Sequence, residues 1–347
     1  MRINHCPLFV CIILSIAIIS CKKDKPSQAI SNPITIADNG VYVINEGNFQ
    51  FGNSSITYYD ANAKAVTPDL FLPANNRPLG DVCQSMNRFN NNYYIVVNNS
   101  AKIEVVNANT FIAIATITGF TSPRYMLPIS NNKAYVTDLY ANKIAIIDLN
   151  LNAIIGSIPC HGWTEDMLLA YGKVFVTHPT SNTIDVINTI TDAIQDSITI
   201  GYASNTIKED KNGKLWVSCS GDMAKNKLAS LHRINPITDK VEQSYTFANA
   251  TDKCWRLCFN ATNDTLYFLN KDIFRMNIQS TSLPITPFIS QHTNNFYGLS
   301  IQPSTNYIYI ADAIDYTQKG NIYIYNTNAT LLNTFKVGII PSSFYFK

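Results

Sequence analysis

The sequence predicts an all-β fold, a seven-bladed β-propeller of four-stranded blades whose ring is closed by the C-terminal strand joining the first blade. Three observations predict it. First, a five-residue strand pattern recurs seven times: Val41-Tyr42-Val43-Ile44-Asn45, Tyr94-Ile95-Val96-Val97-Asn98, Ala134-Tyr135-Val136-Thr137-Asp138, Val174-Phe175-Val176-Thr177-His178, Leu215-Trp216-Val217-Ser218-Cys219, Leu266-Tyr267-Phe268-Leu269-Asn270 and Ile308-Tyr309-Ile310-Ala311-Asp312. Their last residues are spaced by 53, 40, 40, 41, 51 and 42, and a period near 40 built from short strands is the signature of propeller blades. Second, the 347-residue chain is 46% hydrophobic and only 14% charged, which supplies a core for one large closed array. Third, the first copy has no strand before it, while the chain end at 339–346 resembles the strand that precedes the other copies. Joining the two termini in one blade leaves no long open edge.

Each copy extends into four strands. In the third, 124–128, 133–138, 143–148 and 153–158 alternate with the turn segments Ser130-Asn131-Asn132, Tyr140-Ala141-Asn142 and 150–152. The third-strand element recurs at 56–60, 103–107, 184–188, 231–235, 273–277 and 322–326, ending in Asp or Asn, as expected where a strand enters a hairpin turn. Residues 36–347 therefore read as the propeller, with essentially no helix. The longer intervals before Asn98 and Asn270 mark insertions.

Residues 1–20 read as a lipoprotein signal peptide. Arg2 gives a basic start, and 6–20 is apolar and small but too short for a membrane span. The segment ends in Ile18-Ile19-Ser20-Cys21 followed by Lys22-Lys23-Asp24-Lys25, which resembles a bacterial lipobox. That resemblance implies acylation of Cys21, with 21–35 as the lipidated Cys and a flexible tether. The membrane is then reached through the N-terminal lipid only, at the outer membrane, on the cell surface or its periplasmic face. Once Cys6 and Cys11 leave with the signal and Cys21 is lipidated, five cysteines remain, an odd number that argues against a disulfide framework. Cys254 and Cys258, four apart on one strand, are expected on one face as buried thiols. No second pair of ligands accompanies them, so no metal site is expected.

Antiparallel order decides which residues share a rim. The start of the first strand and the end of the second lie at the same end of a blade, together with the connection into it. Counting back from the second-strand ends gives Gln84, Arg124, Thr164 with Glu165 beside it, Asn205, Arg256 and Tyr297, with Ser342 from the closing strand. These form an inner ring of mostly long polar side chains where an ordinary core would place Val, Ile or Ala. A second ring is expected from Asn45, Asn98, Asp138, His178, Cys219, Asn270 and Asp312. The connecting loops add Trp163, Trp255, Phe296, Tyr297 and Tyr140. Such a mouth offers flat apolar platforms with donors and acceptors around them. It suits a large, neutral ligand bearing amides or hydroxyls. Arg124 and Glu165 fall on adjacent blades, where they can also simply pair. Of Glu165 and Asp166, strand alternation sends only one into the channel, and Glu165 is the expected one.

Catalytic patterns are sparse. His178 with Asp138 one blade away is an acid–base or metal pair by position, although a hydrogen-bonded strand-end histidine is the commoner arrangement. No His-Glu-x-x-His, Gly-x-Ser-x-Gly or phosphate-cradling glycine loop occurs. A net charge of +2 lacks the basic stripe of a nucleic-acid partner.

Ala134-Tyr135-Val136-Thr137-Asp138 and Lys143-Ile144-Ala145-Ile146-Ile147-Asp148 resemble YVTN-type propeller repeats. Ile44-Asn45-Glu46-Gly47-Asn48, Leu79-Gly80-Asp81, Gln84-Ser85-Met86 and Val96-Val97-Asn98-Asn99-Ser100-Ala101-Lys102-Ile103-Glu104-Val105 resemble a Bacteroidetes lipoprotein propeller family. That family includes surface proteins that capture corrinoids (vitamin B12 and its relatives) beside an outer-membrane transporter. The resemblance implies a non-catalytic binding protein with no cofactor. Its partners would be a corrinoid or other large polar small molecule and a TonB-dependent transporter. A glycan- or protein-binding adhesion propeller is the alternative. A metal-dependent lyase or hydrolase using Glu165 and His178 is a further one.

Overall fold

The computed structural model describes residue 36 and residues 39–347; the expected signal peptide, Cys21 and tether at 1–35 lie outside the described residues. Seven antiparallel sheets follow one another, and the innermost strand of each contacts the innermost strands of its two neighbours, closing a ring around a central channel. Listed from the channel outwards, blade 2 is Cys83–Phe89, Asn92–Val97, Lys102–Asn107 and Ala113–Thr118. Blade 3 is Pro123–Pro128, Lys133–Asp138, Lys143–Asp148 and Ala153–Pro159. Blades 4, 5 and 7 repeat this arrangement from Met167, Ser204 and Phe296. Blade 1 is closed as predicted: Pro341–Phe346 pairs with Gly40–Asn45, matching Val41 to Phe346 and Ile44 to Ser343.

The core is distributed between blades. In the second strand of blade 2, Tyr93, Ile95 and Val97 pack toward blade 1, while Tyr94 and Val96 pack with Met126, Ala134 and Val136 of blade 3. Both faces are covered, so the recurring pattern is an unbroken apolar run instead of an alternation. The inner strand of blade 7 crosses the closing strand so tightly that a Cβ on Gly298 would stand 2.5 Å from the Ser342 carbonyl oxygen.

The four-stranded pattern and the near-absence of helix hold with two local exceptions, and the placing of two cysteines is corrected. Blade 6 has three strands, Trp255–Phe259, Thr265–Asn270 and Asp272–Asn277, and its fourth position is reduced to a single bridge between Ile273 and Ile289. Pro284 and Pro287 interrupt that segment and cannot donate to a ladder. The insertion before Asn98 contains a helix, Phe71–Asn75, whose Phe71 joins Leu70 and Leu79 in the core between blades 1 and 2. Cys254 and Cys258 fall in different inter-blade clusters, because the strand between them carries an extra residue that reverses its parity. Among the described residues all five cysteines are free, and Cys258 alone of them is not buried.

Blade 5 carries a pH-sensitive core residue. His232, 7% exposed, accepts a hydrogen bond from Gly201 N at 2.9 Å through Nε2 and meets Ser244 Oγ at 2.9 Å through Nδ1. Burial lowers its pKa to about 4. The unfolded chain then binds the proton first, so this group's contribution to stability is present above about pH 6.5 and is lost as the pH falls through 4, a cost of about 3 kcal/mol. Urea unfolding at pH 7.5, 5 and 4 should show a shallower acid loss for His232→Gln than for the native protein. Parallel slopes would contradict this.

Candidate ligand site at the channel mouth

A β-bulge at the top of every inner strand builds the site. In blade 2, Cys83 faces Val97 and Ser85 faces Val96, leaving Gln84 as the extra residue. The same offset frees Asn205 in blade 5, Tyr297 in blade 7 and Ser342 in the closing strand. In blades 3 and 6 two residues oppose one, Arg124 with Tyr125 and Arg256 with Leu257. In blade 4 Glu165 N donates to Thr177 O and Thr177 N to Asp166 O, so Glu165 and Asp166 share one partner. A bulge re-aims side chains that a regular strand would send elsewhere. Here it affects the positions reached by counting back from the strand ends in every blade but the fourth, where the count reaches Thr164 and the bulge begins at Glu165 beside it. Arg256 pays in backbone conformation, with φ 54°, in the left-handed region that a long side chain rarely adopts.

The bulged side chains other than Ser342, which lines the space below, meet in one cavity of 180 Å³, lined by Gln84, Arg124, Glu165, Asn205, Trp255, Arg256 and Tyr297, together with Glu46, Val82, Tyr125, Thr206 and Ser220. Below it, separated by Tyr125, Thr206 and Arg256, lies a second cavity of 340 Å³. Asp166 lines this lower space and binds Lys208 at 3.1 Å. Asp166 therefore also faces the channel, one level below Glu165. This corrects the alternation argument, which does not hold across a bulge.

Two acid–base pairs make the mouth neutral. Arg124 Nε and Nη2 donate to Glu165 at 2.8 and 2.6 Å, and Nη1 donates to Gln84 Oε1 at 2.5 Å. Burial works against the Arg124 charge, but Glu165 outweighs it and raises its pKa. The second pair is open: Arg256 Nη2 stands 3.9 Å from Glu46 Oε1. Arg256 lies over Trp255 at 5.4 Å and Tyr297 at 5.2 Å, and the Tyr297 hydroxyl donates to Glu46 Oε2 at 3.2 Å. Asn205 is fully engaged, donating to Ser220 Oγ and Cys254 O at 2.9 Å and accepting from Ser218 Oγ at 2.9 Å.

Burial raises the pKa of Glu46, with Arg256 and Arg124 opposing. A carboxyl group raised on folding adds stability at low pH and loses it as the pH climbs through the raised value. Glu46→Gln should therefore melt above the native protein at pH 7 and together with it at pH 4. Equal melting at both pH values would contradict the assignment.

None of the expected second ring lines this cavity, nor do Thr164, Phe296 and the loop residues Tyr140 and Trp163. Asn98 donates to Ser122 Oγ at 2.8 Å and to Pro123 O at 3.0 Å across the blade 2–3 seam. Asp138 accepts from Thr121 N at 2.8 Å and Ser122 N at 2.9 Å, and Asp312 accepts from Asn295 N and Ile314 N, each at 2.9 Å. His178 is 2% exposed; Nδ1 meets Trp163 O at 2.9 Å, and Nε2 lies 3.0 Å from Asp185 without hydrogen-bond alignment. Its carboxylate neighbour is thus Asp185 of its own blade, not Asp138. Phe296 is buried in the blade 6–7 core. The ends of the second strands serve as clips and loop holders, which explains their polarity.

The sequence reading missed Glu46 and the loop it opens. Glu46 stands inside the motif Ile44-Asn45-Glu46-Gly47-Asn48, and that was its only signal. Beyond it, Phe49 and Phe51 are 63% and 75% exposed on a loop held by Gln50 N to Asp81 Oδ2 at 2.8 Å and Asn48 Nδ2 to Tyr316 O at 2.6 Å. Half-exposed Tyr316 packs edge-on against Tyr297, which packs edge-on against Trp255, each at 5.6 Å. On the upper loops of blades 3 and 4, Tyr140 and Trp163 make a similar exposed pair at 5.0 Å.

These features define a closed β-propeller with an internally neutral, bulge-built basin at one channel mouth and aromatic side chains on the loops above it. The chain belongs to the family described as Domain of unknown function (DUF5074), whose model matches residues 39–346. No functionally curated protein matches the sequence. Among solved structures it is similar to a quinonprotein alcohol dehydrogenase-like protein from Bacteroides thetaiotaomicron, with 14% identity over 89% of this chain and 78% of that one and a TM-score of 0.69. It is also similar to a putative 6-phosphogluconolactonase from Bacteroides fragilis, with 12% identity over 93% of this chain and 100% of that one and a TM-score of 0.65. At such identities the likeness is one of fold alone.

Proposed function

We propose that this protein is a non-catalytic surface lipoprotein that holds a corrinoid across its upper mouth and passes it to a TonB-dependent transporter. The observation that carries the reading is the mouth itself. Its polar basin of 180 Å³ is smaller than the roughly 300–1,000 Å³ that encloses a drug-sized ligand, while Phe49, Phe51, Tyr140, Trp163 and Tyr316 stand exposed on the loops above. A broad, flat ligand with short polar arms matches such a surface: the plane rests on aromatics and an arm enters the basin. The family resemblance of the opening motifs favours a corrinoid, whose rim carries amides.

Binding is favoured over catalysis because the groups a reaction would need are engaged. Glu165 is held by Arg124 from the next blade, and His178 is buried against Trp163 and Asp185.

Calorimetry of the purified protein with cyanocobalamin should give saturable heat and a shift of the visible bands. Absence of both at micromolar protein would remove the corrinoid reading. The second reading is a glycan, favoured by the half-exposed Tyr140–Trp163 pair as a stacking surface; glycan-array hits without corrinoid binding would establish it.

A further inference from the structure

We infer that Arg256 and Glu46 form a receptor for a single carboxamide group, the arm of the ligand that enters the mouth. The inference rests on the mouth being the ligand site and names the chemistry read there.

The two acid–base pairs of the mouth have the same composition but different geometry. Arg124 and Glu165 close a fork at 2.8 and 2.6 Å, with Gln84 taking a third donor, so that pair has no vacancy. Arg256 and Glu46 are 3.9 Å apart, beyond the hydrogen-bonding range. Neither can readily relax toward the other. Arg256 is fixed by Nε donating to Tyr297 O at 3.0 Å and by the rings of Trp255 and Tyr297 beside it. Glu46 is held by the Tyr297 hydroxyl at 3.2 Å, with the Ser342 side chain also beside it. Among the described residues, no acceptor lies within hydrogen-bonding reach of Arg256 Nη1 or Nη2. The side chains are 17% and 13% exposed, so the vacant donor and acceptor face the basin and not bulk water.

The pair selects its ligand by charge. A carboxylate arm would satisfy Arg256 but meet the Glu46 carboxylate, and an ammonium would do the reverse. A neutral amide satisfies both, its carbonyl oxygen accepting from Arg256 and its N–H donating to Glu46. The amide oxygen and nitrogen are about 2.3 Å apart, as amide bond lengths require, so each can reach its partner across the 3.9 Å gap at ordinary hydrogen-bond length. The two charge-assisted bonds then give affinity as well as selection.

The test uses the purified protein, cyanocobalamin and the set of its monocarboxylic acids, each with one peripheral amide hydrolysed. At least one acid should bind the native protein about tenfold or more weakly than cyanocobalamin. Glu46→Gln should restore that acid and weaken cyanocobalamin, reversing the preference. Equal binding of cyanocobalamin and every acid, or equal loss of both ligands in Glu46→Gln, would overturn the inference. If native protein binds no cyanocobalamin, the corrinoid reading fails and a second probe decides the receptor: crystals soaked in propionamide should show it between Arg256 and Glu46, and crystals soaked in propionate should not. An empty gap in both, or propionate seated equally well, would overturn it.

Discussion

Removing residues 340–347 should abolish the folded state. The lost strand carries Phe344, Tyr345 and Phe346. Phe344 and Phe346 pack edge-on against buried Tyr309 at 5.7 and 5.2 Å, and Tyr345 packs against Tyr42 and Tyr93 at 6.0 and 5.5 Å. Truncating a core aromatic costs about 3–5 kcal/mol. Even at the lower figure, because these rings are partly exposed, three of them approach the whole stability of about 5–15 kcal/mol of an ordinary protein. The deletion also uncovers Val41–Ile44, an apolar edge that would pair with other chains. We expect an aggregated product with no cooperative melt by circular dichroism. A soluble monomer melting within about 5 °C of the native protein would show that closure does not hold the ring.

Arg124→Ala should be the most damaging single change at the mouth. It leaves Glu165, whose side chain is 10% exposed, without its two charge-assisted bonds, and Gln84 without one. Breaking a buried ion pair from one side costs about 3–5 kcal/mol. Because Arg124 itself is 20% exposed, the lower end of that range is expected in urea unfolding. Much of the cost is the stranded carboxylate, so Arg124→Met combined with Glu165→Met should recover most of it. A double variant as unstable as Arg124→Ala would mean that the side-chain volumes, not the charges, support the mouth.

The architecture was readable because a propeller repeats its buried strands. Each central strand is covered on both faces, so Tyr94–Val97 and its counterparts stand out as apolar runs at a fixed period. The C-terminal partner of Val41 followed from the missing first strand. The inner ring was readable for a less obvious reason. Counting back from the strand ends lands on the bulged position in every blade but the fourth, where it reaches Thr164, one residue short of Glu165, and at the bulge the side chain leaves the ladder for the channel. The same bulges defeated the arguments that rely on alternation. Asp166 faces the channel beneath Glu165, and Cys254 and Cys258 part company, because one extra residue reverses parity. The second ring was misplaced because polarity at a strand end has two causes. Asn98, Asp138 and Asp312 are polar to hold turns and seams, and composition does not separate that from facing a ligand. Glu46, Phe49 and Phe51 follow the strand instead of preceding it, so the count-back never reached them. Blade 6 lost its fourth strand to Pro284 and Pro287, which are visible in the sequence.

The location of the site is tested most directly by hydrogen–deuterium exchange of the purified protein with and without saturating cyanocobalamin. Protection is predicted in the upper loops, at 46–54, 160–165, 252–257 and 313–318, with the lower hairpins at 90–92, 130–133 and 171–173 unchanged. Protection confined to the lower hairpins, or no difference anywhere, would contradict a ligand site at this mouth.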